Sequence, residues 1–378
     1  MRIAMIAETF TPAVNGVVNS VRQVADQLAA RGHRPIVVAP SGADYRSACG
    51  RTVEVVTVPA VALPGYRGLD VARPGLDLRG LLADLAPDVV HLASPAVLGR
   101  AATTAAAALA LPTVAIWQTD LSSFARRYHL GVGAPFVWSR LRRVHNAADL
   151  TLVPSSASAR QLRRQGIGPL ALWQRGVDRD LFDPRRRDDA WRRGIAPHDE
   201  LVVGFVGRLA AEKRVHLLAP LARTPGVRVV IVGDGPRRPA LQRLLPAAHF
   251  TGQLTGRELG RAVASLDVLV HPGADETFCQ VVQEALCAGV PVVATASGGP
   301  LDLVRHGHNG LLWTDGDPTL LAAQVVGLRD DRAALAALAA RARPSVVHRT
   351  WARVTDELLG HYHRVIEHRG TGGARRAS

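Results

Sequence analysis

Short apolar runs alternate with amphipathic segments along most of the chain, and this alternation restricts the fold more than any other feature. The apolar runs have the length of buried strands, and the segments between them have helical periodicity. In the first half the strand-like runs are Arg2–Ala7, Arg34–Ala39, Asp88–Leu92, Thr113–Trp117 and Leu150–Pro154. The helix candidates between them are Val17–Arg31, Pro95–Ala110 and Pro135–Ala147. Such β-α repetition predicts parallel sheets covered by helices on both faces.

The same pattern restarts after the polar, Arg- and Asp-rich stretch Gly176–Asp199. The later strand-like runs are Leu201–Gly207, Val227–Gly233, Val268–His271 and Pro291–Ala294. We predict an α/β fold of two Rossmann-like, doubly wound domains at residues 1–175 and 176–345. C-terminal helices at 346–368 and a disordered tail at 369–378 are expected to follow. Ligands of such sheets bind beyond the carboxyl ends of the strands, so the cleft between the domains is the expected site.

The composition is that of a globular, strongly basic chain with a net charge of +14. This excess favours an anionic partner such as nucleic acid, a phosphorylated substrate or an acidic membrane surface, although codon bias in a GC-rich genome explains it equally well. The three cysteines lack the spacing of a zinc site or a disulfide framework. The first ten residues lack the features of a signal peptide, and no apolar run reaches the length of a membrane span, so we expect a cytoplasmic protein.

One position stands out among the basic residues. Lys and Arg together number 46, and Lys213 is the single lysine. It lies five residues after Arg208, which itself follows an apolar strand-like run. Arginine binds phosphate oxygens with a bidentate fork, whereas lysine is a compact point charge that fits a narrow space. The pair therefore suits a diphosphate, and a solvated helix N-terminus is the alternative.

The segment ADETFCQVVQEALCAGVPVVATASGGP, residues 274–300, carries two spaced carboxylates. Glu276 lies in a loop after an apolar strand, and Glu284 lies eight residues later, about two turns into a helix. The free amides at the start of that helix form an anion site without any side chain. Carboxylates on either side of a diphosphate can bind the hydroxyls of two different sugars. Taken alone, Glu284 is better explained as an exposed helical glutamate.

These segments together resemble the retaining glycosyltransferases of family 4, which have the two-domain GT-B fold. The resemblance rests on GRLAAEKR, on ETFCQVVQE with its Glu-x7-Glu spacing, and on EALCAGVPVVATASGG. The opening ETFTPAVNGVVNSVRQVADQLAARGHRPIVVAP and the stretch RGVDRDLFDP are similar to the same family. Within it, WQTD and ETFCQVVQEA are nearest to actinobacterial GDP-mannose-dependent α-mannosyltransferases that act on membrane glycolipids. The resemblance also implies that the C-terminal helices cross back to the first domain.

The resemblance implies a role for each residue of these motifs. Arg208 and Lys213 would hold the donor diphosphate and neutralise the charge that develops as the sugar leaves. Glu276 would bind hydroxyls of the transferred hexose, and Glu284 would bind the ribose diol. Gly16 would let the backbone of the first domain approach the phosphate closely. The remaining donor-binding positions, most of them acting through backbone amides, are Thr277, Phe278, Cys279, Gln280 and Val281.

At one position the chain departs from the commoner family pattern. Many relatives place a histidine after the fourth strand, whereas this chain has Trp117-Gln118-Thr119-Asp120. Glutamine cannot act as a general base, which puts in doubt any mechanism that needs a strong base there. Front-face substitution with retention instead lets the departing phosphate take the acceptor proton. Gln118 would then orient the acceptor or donate to a sugar hydroxyl, and Asp120 is the alternative catalytic residue.

The implied reaction transfers a hexose, mannose from GDP-mannose, in an α-linkage to a lipid-linked acceptor of the glucuronosyl diacylglycerol or phosphatidylinositol mannoside type. No metal or other cofactor is expected, because Asp315-Gly316-Asp317 is interpreted as a loop and a helix N-cap. The segment Phe124–Arg143 interleaves aromatic residues with arginines. It predicts peripheral association with the anionic inner face of the plasma membrane, with a core helix bearing a solvated face as the alternative.

Three other functions stay open at this point. The first is a glycosyltransferase that uses a UDP-sugar, of the sulfoquinovosyl or glucosyl type. The second is a non-catalytic protein that binds sugar nucleotides, which the missing histidine suggests. The third is a nucleic-acid-binding protein, which the charge alone suggests; since the chain carries no recognised binding motif, we expect no nucleic-acid partner.

Overall fold

The computed structural model describes residues 1–13, 15–62, 70–73, 75–93, 95–118, 134–314 and 317–374. The chain forms two compact units. Unit 1 contains Met1–Arg175 and the C-terminal segment that begins at Trp351, and unit 2 contains Gly176–Thr350. Each unit is built on a largely parallel sheet with helices between its strands. The predicted pair of Rossmann-like α/β domains is confirmed.

The main sheet of unit 1 has the strand order β10-β9-β8-β7-β1-β2-β4-β3. All neighbouring pairs are parallel except the edge pair of β4 and β3. A separate antiparallel pair joins β5 to β6. The strands are β1 (Arg2–Ile6), β2 (Arg34–Ala39), β3 (Tyr45–Arg46), β4 (Thr52–Thr57), β5 (Ala60–Ala62), β6 (Asp70–Ala72), β7 (Val89–Leu92), β8 (Thr113–Ile116), β9 (Leu150–Val153) and β10 (Leu170–Leu172).

The helices of unit 1 lie between these strands. Their bounds are Gly16–Ala30, Leu78–Leu85, Leu98–Ala108, Ala134–Asn146 and Ser156–Arg164, followed at the end of the chain by Trp351–Ala374. The first helix begins where Asn15 Oδ1 accepts the backbone N–H groups of Val17 and Val18, at 3.0 and 2.9 Å. An Asn in this position satisfies amides that have no partner within the helix. The predicted phosphate-approach position, Gly16, is therefore the first residue of this helix.

The C-terminal helix belongs to the core of unit 1. It buries Trp351, Leu358 and Tyr362 against the sheet. The hydroxyl of Tyr362 lies 2.6 Å from His91 Nδ1, and the indole Nε1 of Trp173 donates to the Val354 carbonyl oxygen at 2.7 Å. These buried polar contacts tie the helix to one register. The predicted return of the C-terminal helices to the first domain is confirmed.

The sheet of unit 2 is wholly parallel, with the strand order β13-β12-β11-β14-β15-β16. Its strands are β11 (Leu201–Val206), β12 (Val227–Val232), β13 (His249–Gly252), β14 (Val268–His271), β15 (Val292–Thr295) and β16 (Gly310–Trp313). The α-helices are Asp189–Ile195, Ala219–Ala222, Arg238–Leu244, Gly256–Ala264, Gln280–Cys287, Pro300–Leu303, Pro318–Asp330 and Arg332–Val346. Short 3₁₀ turns occupy Pro184–Arg186, Ala211–Lys213 and Val215–Leu218.

The end of the chain differs from the predicted boundaries. Unit 2 extends to Thr350 rather than 345, and the last helix runs on to Ala374 rather than ending at 368. The glycine-rich composition after residue 368 is unfavourable for a helix. A tertiary contact supports the helix instead, because Arg369 Nε donates to Asp149 Oδ1 at 2.8 Å. Residues 375–378 lie outside the described residues.

Candidate functional site

The strand order of unit 2 reverses between β11 and β14. The chain passes from β11 outward to β12 and β13, and then crosses to β14 on the other side of β11. The two strands are paired directly, with Val203 opposite Val268. The loops that leave their carboxyl ends must diverge and create a crevice, which is where open α/β sheets bind ligands. Arg208 and Lys213 follow β11, and Glu276 follows β14, so the topology brings the predicted cations and carboxylate together.

The carboxylate of Glu276 is held by two side chains from these strand ends. Lys213 Nζ forms an ion pair with Glu276 Oε1, and His271 Nε2 lies 3.1 Å from the same oxygen. The side chains of Glu276 and Lys213 are 16% and 24% exposed, so the ion pair is largely shielded from solvent. Glu276 Oε2 accepts no hydrogen bond from the described residues. One carboxylate oxygen is thus fixed by the protein while the other stays available.

The electrostatics of this pair favour both charged forms. Burial alone would raise the pKa of Glu276, but the charge of Lys213 and the hydrogen bond from His271 hold it well below the usual range. Burial alone would likewise lower the pKa of Lys213, and the neighbouring Glu276 carboxylate raises it instead. The site therefore presents an ionised carboxylate and an ammonium at neutral pH.

The loop after Glu276 is shaped by close backbone packing. The Gly299 N–H donates to the Glu276 carbonyl oxygen at 2.8 Å, and a Cβ on Gly299 would lie 2.2 Å from the Phe278 carbonyl oxygen. Only glycine permits this approach. Cys279 then adopts a left-handed conformation with φ of 74° and caps the helix Gln280–Cys287 without a side-chain hydrogen bond.

The start of that helix offers free amides. The backbone N–H groups of Phe278, Cys279, Gln280 and Val281 donate to no acceptor within the described residues. Phe278 and Cys279 are buried, whereas Thr277, Gln280 and Val281 are half-buried. The Gln280 side chain donates to the Gly176 carbonyl oxygen at 2.9 Å, which anchors the first turn. These amides, together with the helix dipole, form the anion site that the sequence predicts.

Glu284 lies on the same helix, and its carboxyl is half-buried. Burial raises its pKa to about 8, against the lowering effect of a hydrogen bond from the Gln280 side chain. The charge of Asp178 raises it further. A strongly perturbed carboxyl is a candidate for a functional position. This environment does not match the alternative of an ordinary exposed glutamate.

Arg208 differs from the other predicted residues of unit 2 because its side chain is exposed. No carboxylate pairs with it among the residues that the structure describes. Its guanidinium is therefore free to bind an anion at the carboxyl end of β11.

The predicted residues of unit 1 lie at the carboxyl edge of its sheet. Gly16 is the first residue of its helix and is exposed, and a Cβ built on it meets nothing within 4 Å. Gln118 follows β8, and its Nε2 donates to the Ala93 carbonyl oxygen after the neighbouring strand β7. Asp120 lies outside the described residues, so its predicted role stays a prediction.

The structure describes only parts of the basic aromatic segment and of the Asp315-Gly316-Asp317 segment. Trp138 was assigned to an exposed basic surface, but it is buried and stacks on Trp117 with ring centroids 6.0 Å apart. The part of the Phe124–Arg143 segment before residue 134 lies outside the described residues. Asp317 caps the helix Pro318–Asp330 by accepting the Thr319 N–H at 2.8 Å, while residues 315 and 316 are not described.

One residue of the site was missed by the sequence reasoning. His271 ends β14, and its side chain is only 2% exposed. A histidine at the end of a strand can line a ligand site, but such a side chain is more often simply packed or hydrogen-bonded. Its five-residue separation from Glu276, across a loop that contains a proline and a glycine, was the available signal.

A metal ion is disfavoured at this cluster. Ligand atoms of His271, Glu276 and Cys279 lie within 4.8 Å of one another. However, the ammonium of Lys213 already contacts the carboxylate. Burial also raises the pKa of the Cys279 thiol well above its usual range, so the thiol is protonated in the metal-free protein.

Comparison with known proteins identifies related sequences for both units. Residues 14–181 match the family model described as Glycosyltransferase Family 4, and residues 200–331 match the model described as Glycosyl transferases group 1. The chain is 44% identical over 371 residues to a GDP-mannose-dependent alpha-mannosyltransferase of Corynebacterium glutamicum, covering 97% of this chain and 89% of the relative. It is 45% identical over 378 residues to a Mycolicibacterium smegmatis protein of the same name, covering 99% of this chain and 100% of the relative.

A solved structure supports the same fold at lower identity. The sucrose-phosphate synthase from Thermosynechococcus elongatus superposes with a TM-score of 0.81 over 97% of this chain and 99% of its own, at 21% identity. At that identity the likeness supports the fold alone. Within the described residues, none of the helices combines the length and apolar character that crossing a bilayer requires.

Proposed function

The chain belongs to glycosyltransferase family 4, and we propose that it is a retaining α-mannosyltransferase that transfers mannose from GDP-mannose to a membrane glycolipid. One observation carries the proposal more than any other. The shielded Lys213–Glu276 ion pair lies at the strand-order reversal of unit 2, beside a helix start with free amides. The near full-length identity to two GDP-mannose-dependent alpha-mannosyltransferases supports the choice of donor.

The donor diphosphate is proposed to bind between the cations and the helix. Arg208 supplies an exposed guanidinium, Lys213 supplies a shielded ammonium, and the amides of residues 278–281 supply neutral donors. Preorganised donors of this kind stabilise the charge that develops on the leaving diphosphate. Because these groups can neutralise the diphosphate without a metal ion, we propose that the reaction needs no metal.

The two glutamates are proposed to bind the two sugars of the donor. Glu276 offers its unoccupied Oε2 to hydroxyls of the hexose, since Oε1 is held by the protein. Glu284, about one turn into the helix Gln280–Cys287, is proposed to accept the ribose hydroxyls. The start of the helix, with its free amides, lies between the two glutamates in the chain. The diphosphate that joins the two sugars is proposed to bind there.

Gly16 is proposed to let the backbone approach the distal phosphate closely. Its φ is not in the left-handed region, and a Cβ would have open space. Nothing in the fold itself therefore requires glycine, and glycine weakens a helix relative to alanine. Close approach of a ligand is a reason that remains for a glycine at this position.

Retention of configuration is proposed to follow from front-face substitution. The acceptor hydroxyl oxygen forms a bond to the anomeric carbon as the bond from that carbon to the phosphate oxygen breaks, and the hydroxyl proton passes to the departing phosphate. Gln118 orients the acceptor in this scheme, because an amide cannot take the proton. Asp120 is the alternative catalytic residue.

The acceptor is proposed to be a lipid reached at an anionic membrane surface. A cavity of about 130 Å³ is lined by Arg100, Phe136, Ser139, Arg140 and Arg143. Phe136 is 63% exposed, and no carboxylate pairs with these three arginines among the described residues. An exposed aromatic ring beside unpaired cations suits the interface of an anionic bilayer. We accordingly propose peripheral association with the inner face of the plasma membrane.

A transfer assay tests the donor and acceptor together. The protein is given GDP-mannose, GDP-glucose, UDP-glucose and UDP-sulfoquinovose in turn with an actinobacterial lipid extract, with and without EDTA, and products are identified by mass. We expect a mannosylated lipid from GDP-mannose that is unaffected by EDTA. Product from a UDP-sugar alone would reject the donor assignment. Neither transfer nor donor hydrolysis with any sugar nucleotide would favour a non-catalytic binding protein.

A vesicle assay tests the membrane surface separately. The protein should sediment with vesicles containing phosphatidylglycerol and not with phosphatidylcholine vesicles. The double variant Arg140→Ala, Arg143→Ala should lose this binding, whereas the control Arg163→Ala, Arg164→Ala removes the same charge from an exposed part of another helix and should retain it. Equal losses in both variants would show that net charge alone is responsible.

A further inference from the structure

His271 occupies an unusual position for a buried polar side chain. It ends β14 and packs its ring parallel to Phe205, with ring centroids 6.4 Å apart and an interplanar angle of 15°. Its Nδ1 is buried and has no hydrogen-bond partner among the described residues. Leaving a buried polar atom without a partner is unfavourable. The fold therefore tolerates a penalty to keep an imidazole at this point.

The one hydrogen bond of this ring defines what it does. The Glu276 carboxylate is an acceptor only, so the hydrogen on the imidazole is assigned to Nε2, which donates to Glu276 Oε1 over 3.1 Å. Lys213 donates to the same oxygen. Two donors from different strand ends converging on one oxygen fix both the position and the rotation of the carboxylate plane.

The surrounding backbone is shaped to allow this contact. A Cβ on Gly273 would lie 3.1 Å from His271 Nε2 and 3.4 Å from Glu276 Oε1. A side chain at that position would press between the donor and the acceptor. The loop between His271 and Glu276 thus leaves the hydrogen bond unobstructed, and Glu276 Oε2 keeps one defined direction.

We propose that His271 is a positioning residue that sets the selectivity for the donor hexose, by holding Glu276 so that Oε2 meets hydroxyls of one configuration only. The inference rests on the proposed role of Glu276 in binding the transferred hexose. A carboxylate that can rotate accepts hydroxyls from several directions, whereas a fixed carboxylate discriminates between epimers. A site built to hydrogen-bond a particular hydroxyl rejects analogues that leave its polar groups unpaired.

Two substitutions at His271 separate positioning from packing. His271→Leu keeps an apolar side chain against Phe205 and removes the donor. His271→Gln replaces the imidazole Nε2–H with an amide Nε2–H at a similar reach. His249→Leu removes an exposed histidine at the start of β13 in the same unit and serves as the control.

We expect His271→Leu to lower kcat/KM for GDP-mannose by about tenfold to one-hundredfold, the range for one lost hydrogen bond to a charged group. The ratio of kcat/KM for GDP-mannose to kcat/KM for GDP-glucose should also become smaller. Inhibition by GDP, which lacks the hexose, should change by less than about twofold, a difference under 0.5 kcal/mol. His271→Gln should recover most of the activity and the preference.

Other results would overturn the inference. A parallel weakening of GDP and GDP-mannose binding in His271→Leu would mean that the histidine supports the fold of the whole site. The inference would also be wrong if His271→Gln had the melting temperature of the wild type but did not recover the preference for GDP-mannose over GDP-glucose. If the protein uses a UDP-sugar, the donor assignment fails, and the comparison is repeated with that sugar nucleotide and UDP. An unchanged epimer preference in His271→Leu would then reject the positioning role independently.

Discussion

The two units place their candidate residues in contrasting surroundings. In unit 2, Lys213, Glu276 and His271 are largely shielded and already bonded to one another. In unit 1, Gly16 is exposed with open space where a side chain would be. The site of unit 2 is therefore preorganised by the protein itself, whereas the role of Gly16 would appear only when a ligand is bound.

This contrast determines how each residue can be tested. Removing a partner from the cluster in unit 2 leaves a shielded charge unpaired, so activity and stability should fall together. A substitution at Gly16 disturbs no contact within the described residues, so an effect on activity would point to the ligand. The predictions that follow use this difference, beginning with the largest expected effect.

The largest effect is expected from Glu276→Gln. An amide cannot pair with Lys213 as a carboxylate does, and it binds sugar hydroxyls with different donor and acceptor positions. We expect kcat/KM for the donor to fall by about one-hundredfold to one-thousandfold, as for loss of a preorganised polar group. Steady-state kinetics and thermal melting should both register the change.

Glu258→Gln is the matched control for that variant. Glu258 is exposed on the helix Gly256–Ala264, and its substitution should leave both measurements near the wild type. Full activity in Glu276→Gln would contradict the proposed donor site.

The next effect concerns the single lysine. Lys213→Arg keeps the positive charge, but a guanidinium is wider than an ammonium and its fork cannot occupy the shielded space beside Glu276 Oε1 in the same way. We expect kcat/KM for the donor to fall by about tenfold to one-hundredfold, as for the loss of one hydrogen bond between charged groups. Donor titration kinetics provide the measurement.

The reverse exchange at an exposed position gives the comparison for Lys213→Arg. Arg223 is exposed in unit 2, and Arg223→Lys should have no kinetic effect. Unchanged kinetics in Lys213→Arg would mean that the lone lysine carries no functional constraint.

A third prediction separates activity from stability in unit 1. In Gly16→Ala the added Cβ meets no protein atom, and alanine is favoured over glycine in a helix by roughly 0.5–1 kcal/mol. Melting temperature should hold or rise, while kcat/KM should fall by about tenfold if a phosphate must approach this backbone.

Gly327→Ala offers a close control in unit 2. Gly327 is also exposed in a helix, and a Cβ on it likewise meets nothing within 4 Å. This variant should gain stability without any change in activity. If both glycine variants behave alike, the proposed phosphate approach at Gly16 is wrong.

The smallest effect is a pH dependence of stability at Glu284. Because burial raises the pKa of this carboxyl from 4.5 to about 8, the unfolded chain ionises first as pH rises. Below about pH 4.5 this carboxyl does not affect the free energy of unfolding. Between about pH 4.5 and pH 8 it lowers that free energy progressively, and above pH 8 this penalty is constant. Glu284→Gln removes the penalty, so its melting temperature should gain a few degrees more at pH 8.5 than at pH 4.5.

The exposed Glu258→Gln variant should show no such change with pH. A constant difference between Glu284→Gln and the wild type across the range would mean that the carboxyl is not perturbed.

Long buried strands could be predicted because each one is a continuous apolar run in the sequence. Thr113–Trp117 and Val268–His271 were predicted within one residue of the observed strands. Seven strands were not predicted: β3, β4, β5, β6, β10, β13 and β16. The shortest of them, with two or three residues, carry no periodicity and depend on a pairing partner. Within the basic segment Phe124–Arg143, charge alone does not show which side chains are exposed, and the helix turns Trp138 inward against Trp117.

The amino-acid sequence by itself determined the two α/β units, the order of their elements and the Lys213, Glu276 and Glu284 positions. The units follow from the alternation of apolar and amphipathic segments. The three positions follow from the single lysine and from the spacing of the two glutamates. Only the tertiary structure decided that Lys213 and His271 meet on the same oxygen of Glu276, and that Oε2 is left over. That contact depends on β11 lying beside β14, with 64 residues between the paired Val203 and Val268 in the chain, a pairing that no local pattern encodes.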